Sequence, residues 1–472
     1  MSSKRNAYNY LALSFFILGA VLRILLCLRN PPENAFDDHF EPIFMIMKTG
    51  HIPAKDACWQ CYHPPVFYWI SAMVGNLAKT AGLPFQEIVK ILQFIPCCYG
   101  ILTLPILFLI LRKLPLSSLS ATIAFGTACF LPRHIYMSAI NSNDTISYLL
   151  VAISLYLFLL AIERRLPHAL VIVTSVIVTV TLFTKYTTYV LIPVLVVAYA
   201  AILLARKPVP RRHALLSLGL ALAIPIVALS TYFSSNMKHY HRPLPWNVSE
   251  LDPAVSQPRD PQKMNFITFK PWESVTEPIL SPGHMHSFWT LIYNGMWFDN
   301  QPLFLYYPNP NPQWWGRYYG WLRGETRYPG PNPSMSTRTR LVGSGLELLG
   351  LLPLLLMANG MYVLIKQSWS HWRTSQGLEL AKLSLFPALF FGNAAGIVAL
   401  ALRLPVYSAA KASYFLNSMP AFAVFLGFGI LPWEKNKKLA AIATVAFVIL
   451  FIFCSIHILN IYQSLQHVDI RS

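Results

Sequence analysis

Apolar runs close to twenty residues long recur along this chain, separated by short loops that carry paired basic residues. A run of about 20 apolar residues is what an α-helix needs to cross the roughly 30 Å hydrocarbon core of a bilayer. The runs are continuous rather than alternating, which favours helices over barrel strands. Spans are predicted near 11–29, 88–111, 118–137, 145–162, 168–184, 187–205, 213–232, 341–365, 382–402, 415–432 and 438–462. The expected fold is therefore all-α and integral to the membrane, a polytopic bundle of about eleven spans. The first run superficially resembles a secretion signal. Arg23 interrupts it, and Arg29-Asn30-Pro31 offers no small-residue cleavage site, so it reads as a retained helix.

Charge sets the orientation. With the N-terminus cytoplasmic, the inner loops hold Arg112-Lys113, Arg164-Arg165, Arg206-Lys207, Arg211-Arg212, Lys366, Arg373, Lys435 and Lys437-Lys438. The short outer loops carry chiefly Lys185, Arg403 and Lys411. That asymmetry follows the positive-inside rule. Val66–Ala81 is apolar but short, and counting it as a span would invert the asymmetry. It reads as a helix lying along the outer interface, anchored by Phe67, Tyr68 and Trp69. Three parts result. A transmembrane module covers 1–232, with an outer loop at 30–87. An outer loop domain at 233–340 is rich in Pro, Trp and Tyr, with Trp246, Trp272, Trp289, Trp297, Trp314, Trp315 and Trp321. The C-terminal helices cover 341–472.

Composition agrees. Of 472 residues, 55% are hydrophobic and 12% charged, about half the charge of a soluble domain. The net charge of +18 would suggest nucleic acid in a soluble protein. Here the inner loops account for it, and no nucleic-acid motif accompanies it. Asn247-Val248-Ser249 has the pattern of a glycosylation acceptor.

Candidate chemistry gathers in the outer loops. Asp37-Asp38 follows the first helix directly. Such a pair serves as a general base, as a seat for a divalent cation such as Mg2+ or Mn2+, or as a solvated helix start. Cys58-Trp59-Gln60-Cys61-Tyr62-His63-Pro64-Pro65 comes next. Its Cys-x-x-Cys-x-His string lacks an identifiable fourth zinc ligand, and a local disulfide suits an oxidising compartment better. His63 stands before a proline pair suited to opening a helix, as a site residue or as a polar helix start. Asp144 opens the fourth span, as a functional acid or an N-cap. Lys185-Tyr186 lies between two spans, where an unpartnered charge is costly. Lys411 and Tyr414 stand in an outer loop, where the lysine binds a ligand or snorkels. Arg23, deep in the first helix, should face the bundle or snorkel outward.

An acidic pair after the first helix, followed some 25 residues on by His63-Pro64-Pro65-Val66-Phe67-Tyr68-Trp69, resembles bacterial relatives of protein O-mannosyltransferases. These belong to the GT-C class of glycosyltransferases, which also holds the aminoarabinose transferases of lipid A. Ser138–Asp144, Lys185-Tyr186 and Lys411–Pro420 are similar to further segments of that class. The resemblance implies transfer of a sugar from a polyprenyl- or dolichyl-phosphate carrier to a hydroxyl of a protein, lipid or glycan. It implies a non-cytoplasmic site in a plasma (inner) or endoplasmic reticulum membrane. Asp37 is then the first choice of base and Asp38 the second, acting by single displacement with inversion. His63, Asp144, Lys185, Tyr186, Lys411 and Tyr414 bind substrate, the lysines meeting the carrier phosphate. Two departures stand out: Asp38 where the commoner pair has Glu, and Lys411 where the class usually has Arg, a point charge in place of a bidentate fork.

Three other functions compete. A transporter or flippase would show paired halves and broken spans at midplane, and no internal repeat is seen. An inactive assembly subunit would not need Asp37, Asp38, Lys185 and Lys411. A transferase of acyl or phosphoethanolamine groups lacks its Ser, Thr or His nucleophile arrangement.

Overall fold

The computed structural model describes residues 2–32, 39–204, 209–245, 264–276, 286–298, 313, 316–317, 320–321, 325–330, 336–403 and 409–464. Asp37, Asp38, Trp246, the Asn247 sequon, Trp314 and Trp315 lie outside the described residues. Among those described, the fold is helical, with a single isolated bridge between Asn265 and Ser287 and no strand.

Nine helices among the described residues are long and apolar enough to cross a membrane, each overlapping a predicted span. The remaining two predictions, 118–137 and 168–184, form shorter helices, α5 (Ser118–Phe130) and α8 (His168–Leu182). The expected count of about eleven therefore rests on two elements below the usual spanning length.

The shortening of α5 has a local cause. Leu131 precedes Pro132, and the proline ring disfavours helical backbone at the residue before it. Leu131 is accordingly extended (φ −62°, ψ 113°), and a new short helix, α6 (Pro132–Met137), starts at the proline. The break frees carbonyls at the end of α5. Arg23 of α1 (Ser2–Arg29) supplies donors to them: its guanidinium reaches Cys129 O at 2.8 Å, Gly19 O at 2.8 Å and His134 Nδ1 at 2.6 Å. Arg23 is fully buried. It faces the bundle, and hydrogen bonding makes that burial tolerable.

The bundle has two chemically distinct ends. At one, Lys113 pairs with Glu163 at 2.7 Å, and the His213 ring nitrogen donates to Leu166 O at 2.9 Å. Ser117 and Ser120 donate to Glu434 at the same end. This end gathers the basic pairs near 112, 164, 211 and 437. At the other end, α7 (Asp144–Glu163) begins and α8 finishes, and Val66 N donates to Phe183 O at 3.1 Å. There α4 (Phe85–Arg112) grips the C-terminus of α1. Lys90 donates to Cys27 O and Asn30 O, Gln93 donates to Ala139 O, and Asn30 donates to Ala139 O as well.

The helix α3 (Val66–Thr80) corrects part of the sequence reading. Phe67 and Tyr68 are buried against α2 (Phe40–Thr49) and α4, so they anchor the helix to protein rather than to an interface. Trp69, Met73 and Leu77 form the exposed stripe, at i, i+4 and i+8.

The remaining elements are α9 (Leu191–Leu204), α10 (Arg211–Tyr240), α11 (Glu273–Thr276), α12 (Phe288–Trp297), α13 (Thr337–Leu349), α14 (Leu351–Arg373), α15 (Gly377–Arg403), α16 (Ala412–Phe415), α17 (Met419–Ile430) and α18 (Lys437–Ser464). α14 and α17 cross in close contact. A Cβ at Gly360 would strike Phe425 O, and one at Gly429 would strike Leu356 O. Small residues let helix backbones meet where apolar side chains gain little by leaving lipid. Gly429→Val should therefore lower stability by about 1–3 kcal/mol through overpacking, read as a lower thermal midpoint in detergent. An unchanged midpoint would show that the crossing is loose.

Candidate functional site

At the end opposite the basic loops, the first outer loop is folded into an aromatic cluster. His39, the residue after the acidic pair, lies 2.7 Å from the Tyr68 hydroxyl and stacks on His63 at 5.7 Å between centroids. His63 in turn lies 4.0 Å from Tyr62 and 6.2 Å from Tyr186. The Tyr186 hydroxyl donates to Tyr62 O at 2.7 Å. Cys58 and Cys61 form a disulfide, which fixes the turn that presents Tyr62 and His63.

Lys55 ties this loop to α10. Its ammonium donates to Tyr62 O at 3.2 Å and to the Tyr232 hydroxyl, and lies 4.7 Å over the Tyr232 ring. Its backbone N–H donates to the Tyr240 hydroxyl at 3.0 Å. Burial disfavours the charged form and brings the Lys55 pKa down from 10.5 to about 8.

Lys185 lies beside this cluster, next in sequence to Tyr186. It forms an ion pair with Asp144 at 2.6 Å, with side chains 5% and 2% exposed. Asp144 is the first residue of α7, after Asn143 at the cap position. The Ser142 hydroxyl donates to Asp144 Oδ2 at 3.2 Å. The Tyr148 hydroxyl lies 3.1 Å from Asp144 Oδ1 and 2.7 Å from Ser413 O. Lys185 sits over the Tyr414 ring at 5.2 Å, and Lys411 sits over the same ring at 5.9 Å. Asn417 completes the brace: it accepts from Ser147 at 3.0 Å and donates to the Thr187 hydroxyl at 2.8 Å.

The fold thus joins Asp144, Lys185, Tyr414 and Lys411 in one group. His63 and Tyr186 belong to the adjoining aromatic cluster. Asp37 and Asp38 fall outside the described residues, but their neighbour His39 is packed into that cluster. Arg403 closes α15, and the chain at 404–408 lies outside the described residues. Sequence reasoning missed Lys55, His39, Tyr148 and Asn417. Only Tyr148 carried a local signal, its i, i+4 spacing from Asp144 on a helix.

A cavity of about 420 Å³ lies between α5, α12, α14, α15 and α17, and Phe415, the residue after Tyr414, is one of its lining residues. Trp289, Trp297, Met357, Phe390 and Phe422 help to line it, and its walls are almost wholly apolar.

Residues 62–231 match the family model described as dolichyl-phosphate-mannose-protein mannosyltransferase. In fold, the chain is similar to the oligosaccharyltransferase of Archaeoglobus fulgidus in its apo form. The TM-score is 0.52 at 12% identity, over 95% of this chain and 56% of that one. The same organism's AglB, in complex with an inhibitory peptide and a dolichol-phosphate, gives 0.50 at 12% identity, over 95% and 56%. ArnT from Cupriavidus metallidurans bound to undecaprenyl phosphate gives a looser 0.38 at 13% identity, over 90% and 79%. The chain spans little more than half the length of the oligosaccharyltransferase. No curated protein matches the sequence. The chain is a multi-pass helical membrane protein whose fold is similar to that of the archaeal oligosaccharyltransferase.

Two tests follow from this geometry. Lys185→Met should destabilise the protein by about 3–5 kcal/mol, because it strands a buried carboxylate. Adding Asp144→Leu should recover most of that loss, as thermal midpoints would report. Equal effects of the single and double variants would mean that the pair is not coupled. Lys55 gives a pH signature. Between about pH 8 and 10.5 the unfolded chain holds a proton that the folded one has released. Stability from this residue therefore rises across that window as the penalty for burying charge is relieved. The difference in midpoint between wild type and Lys55→Met should change over pH 8 to 10.5, and a constant difference would rule out the depressed pKa.

Proposed function

We propose that the protein is a membrane glycosyltransferase that moves a sugar from a polyprenyl- or dolichyl-phosphate carrier to a hydroxyl acceptor on the non-cytoplasmic face. The observation that carries this reading is the convergence of Lys185 and Lys411 on Tyr414, whose neighbour Phe415 lines an apolar cavity. A lipid phosphate needs cations at the boundary and an apolar channel behind them. The basic loops gather at the opposite end of the bundle, and the positive-inside rule makes that end cytoplasmic. The dolichol-phosphate bound by the structurally similar AglB supports the same class of ligand.

In this reading the carrier phosphate lies against Lys411 and Lys185, while its tail enters the cavity past Phe415. Asp144 neutralises Lys185 before the donor arrives and keeps its buried ammonium in place. Asp37, or failing it Asp38, accepts the proton of the acceptor hydroxyl. The acceptor oxygen forms its bond to the anomeric carbon as the bond to the carrier phosphate breaks. The phosphate leaves with the electron pair toward the lysines, and a single displacement inverts the anomeric centre. Tyr414 holds the two cations on its ring face. Tyr186 and His63 form the wall on the acceptor side, in the cluster that holds His39. Asp37 and Asp38 are oxygen donors of the kind that Mg2+ or Mn2+ takes, and an ion there would add Lewis-acid assistance.

The test incubates the purified protein in nanodiscs with radiolabelled polyprenyl-phosphate glucose, mannose, N-acetylglucosamine and arabinose, with and without chelator. Transfer or hydrolysis of at least one sugar is expected. Asp37→Asn should reduce the rate by about 10²–10⁴-fold, the usual contribution of a general base, with folding unchanged. Full activity in both Asp37→Asn and Asp38→Asn would remove the base assignment. Carrier movement across the bilayer without any sugar chemistry would favour a flippase.

A further inference from the structure

Hydrogen-bonding capacity is left over where the brace around Asp144 and Lys185 is tightest. Asn141 is 1% exposed, and neither its amide nitrogen nor its oxygen has a partner among the described residues. Asn143 Oδ1, Thr145 Oγ and Ser413 Oγ are in the same condition, on residues with no exposed surface. These residues are tied to the proposed phosphate site. Asn143 donates to Thr184 O at 3.1 Å, one residue before Lys185. Asn141 and Thr145 flank Asp144. Ser413 is held through its carbonyl by Tyr148 and precedes Tyr414. A buried polar group without a partner costs about 1–3 kcal/mol, and native proteins leave few of them. Five such atoms on four residues near the ion pair carry hydrogen-bonding capacity that a polar guest would take up.

The chemistry of the set selects that guest. Asn143 uses its nitrogen on Thr184 O, so its free atom is an acceptor. Asn141 offers an acceptor oxygen and an amide nitrogen with two N–H donors, whichever way it is flipped. Thr145 and Ser413 offer hydroxyls, which both donate and accept. The oxygens of an ionised phosphate only accept, so they offer no donor to the Asn141 and Asn143 carbonyl oxygens. A polyol both donates and accepts at each hydroxyl and can satisfy all five atoms. We propose that Asn141, with Asn143, Thr145 and Ser413, forms the subsite for the hydroxyls of the transferred sugar, beside the cations that hold its phosphate. This rests on the transferase reading above and adds where the sugar ring is read.

Asn141→Leu tests it, because it separates folding from recognition. Replacing an unpaired buried amide by an apolar group of similar size should leave the thermal midpoint unchanged or raise it. Binding is measured with two kinds of probe: bare polyprenyl phosphate, and whichever of the four polyprenyl-phosphate sugars the wild type binds more tightly than the bare carrier. The expected result is unchanged affinity for bare carrier and at least about a ten-fold loss for the sugar-bearing probe, as for a lost pair of hydrogen bonds. Ser413→Ala, a smaller deletion, should show the same split if Asn141→Leu fails to fold. Equal affinity of wild type and variants for the sugar-bearing probe overturns the subsite, as does a wild type that binds no sugar-bearing probe better than bare carrier. A wild type that binds neither kind of probe overturns the transferase reading itself, which keeps the two failures apart.

Discussion

The ion pair between Asp144 and Lys185 is the interaction on which this end of the molecule depends. Two opposite charges with almost no exposed surface are stable only when geometry and hydrogen bonds offset the loss of water. Here the offset comes from three separate stretches of chain: the start of α7, the turn after α8, and the segment that leads into α17. Ser142, Tyr148 and Tyr414 surround the charges, and Asn143 and Asn417 stitch the stretches together. An apolar bundle alone would not fix these ends against one another, because lipid and side chain attract a helix about equally. Polar contacts supply the specificity.

Much of the architecture was legible because the bilayer imposes its period on the sequence. Nine spans announce themselves as long apolar runs, and the pairs of Arg and Lys assign them to ends. The division between α5 and α6 is not legible, since 118–137 reads as one run of apolar residues. What divides it is the backbone restriction before Pro132, and what makes the division tolerable is Arg23, far away in sequence. Phe67 and Tyr68 were misread for a related reason. Aromatic residues at a helix start suit an interface and a protein core alike, and only the neighbours α2 and α4 decide between them.

The candidate site was legible in its residues but not in its pairings. Lys185 stood out because a charge at that depth demands a partner, yet nothing in the sequence says that the partner is Asp144. Lys55 gave no signal at all, because its setting is made by Tyr232 and Tyr240 on a helix that begins more than 150 residues later. Asn141 looked like one more polar residue in a polar stretch. Its interest arises from burial without a partner, a property that only three-dimensional packing creates.

The remote partnership of Arg23 bears on how the chain is made. The carbonyl that receives its guanidinium lies 106 residues downstream. During synthesis α1 is made well before Cys129, and until then its own Gly19 O is the partner within reach of Arg23. The final seat of α1 therefore depends on a carbonyl 106 residues further on, and its packing is complete only when α5 is in place.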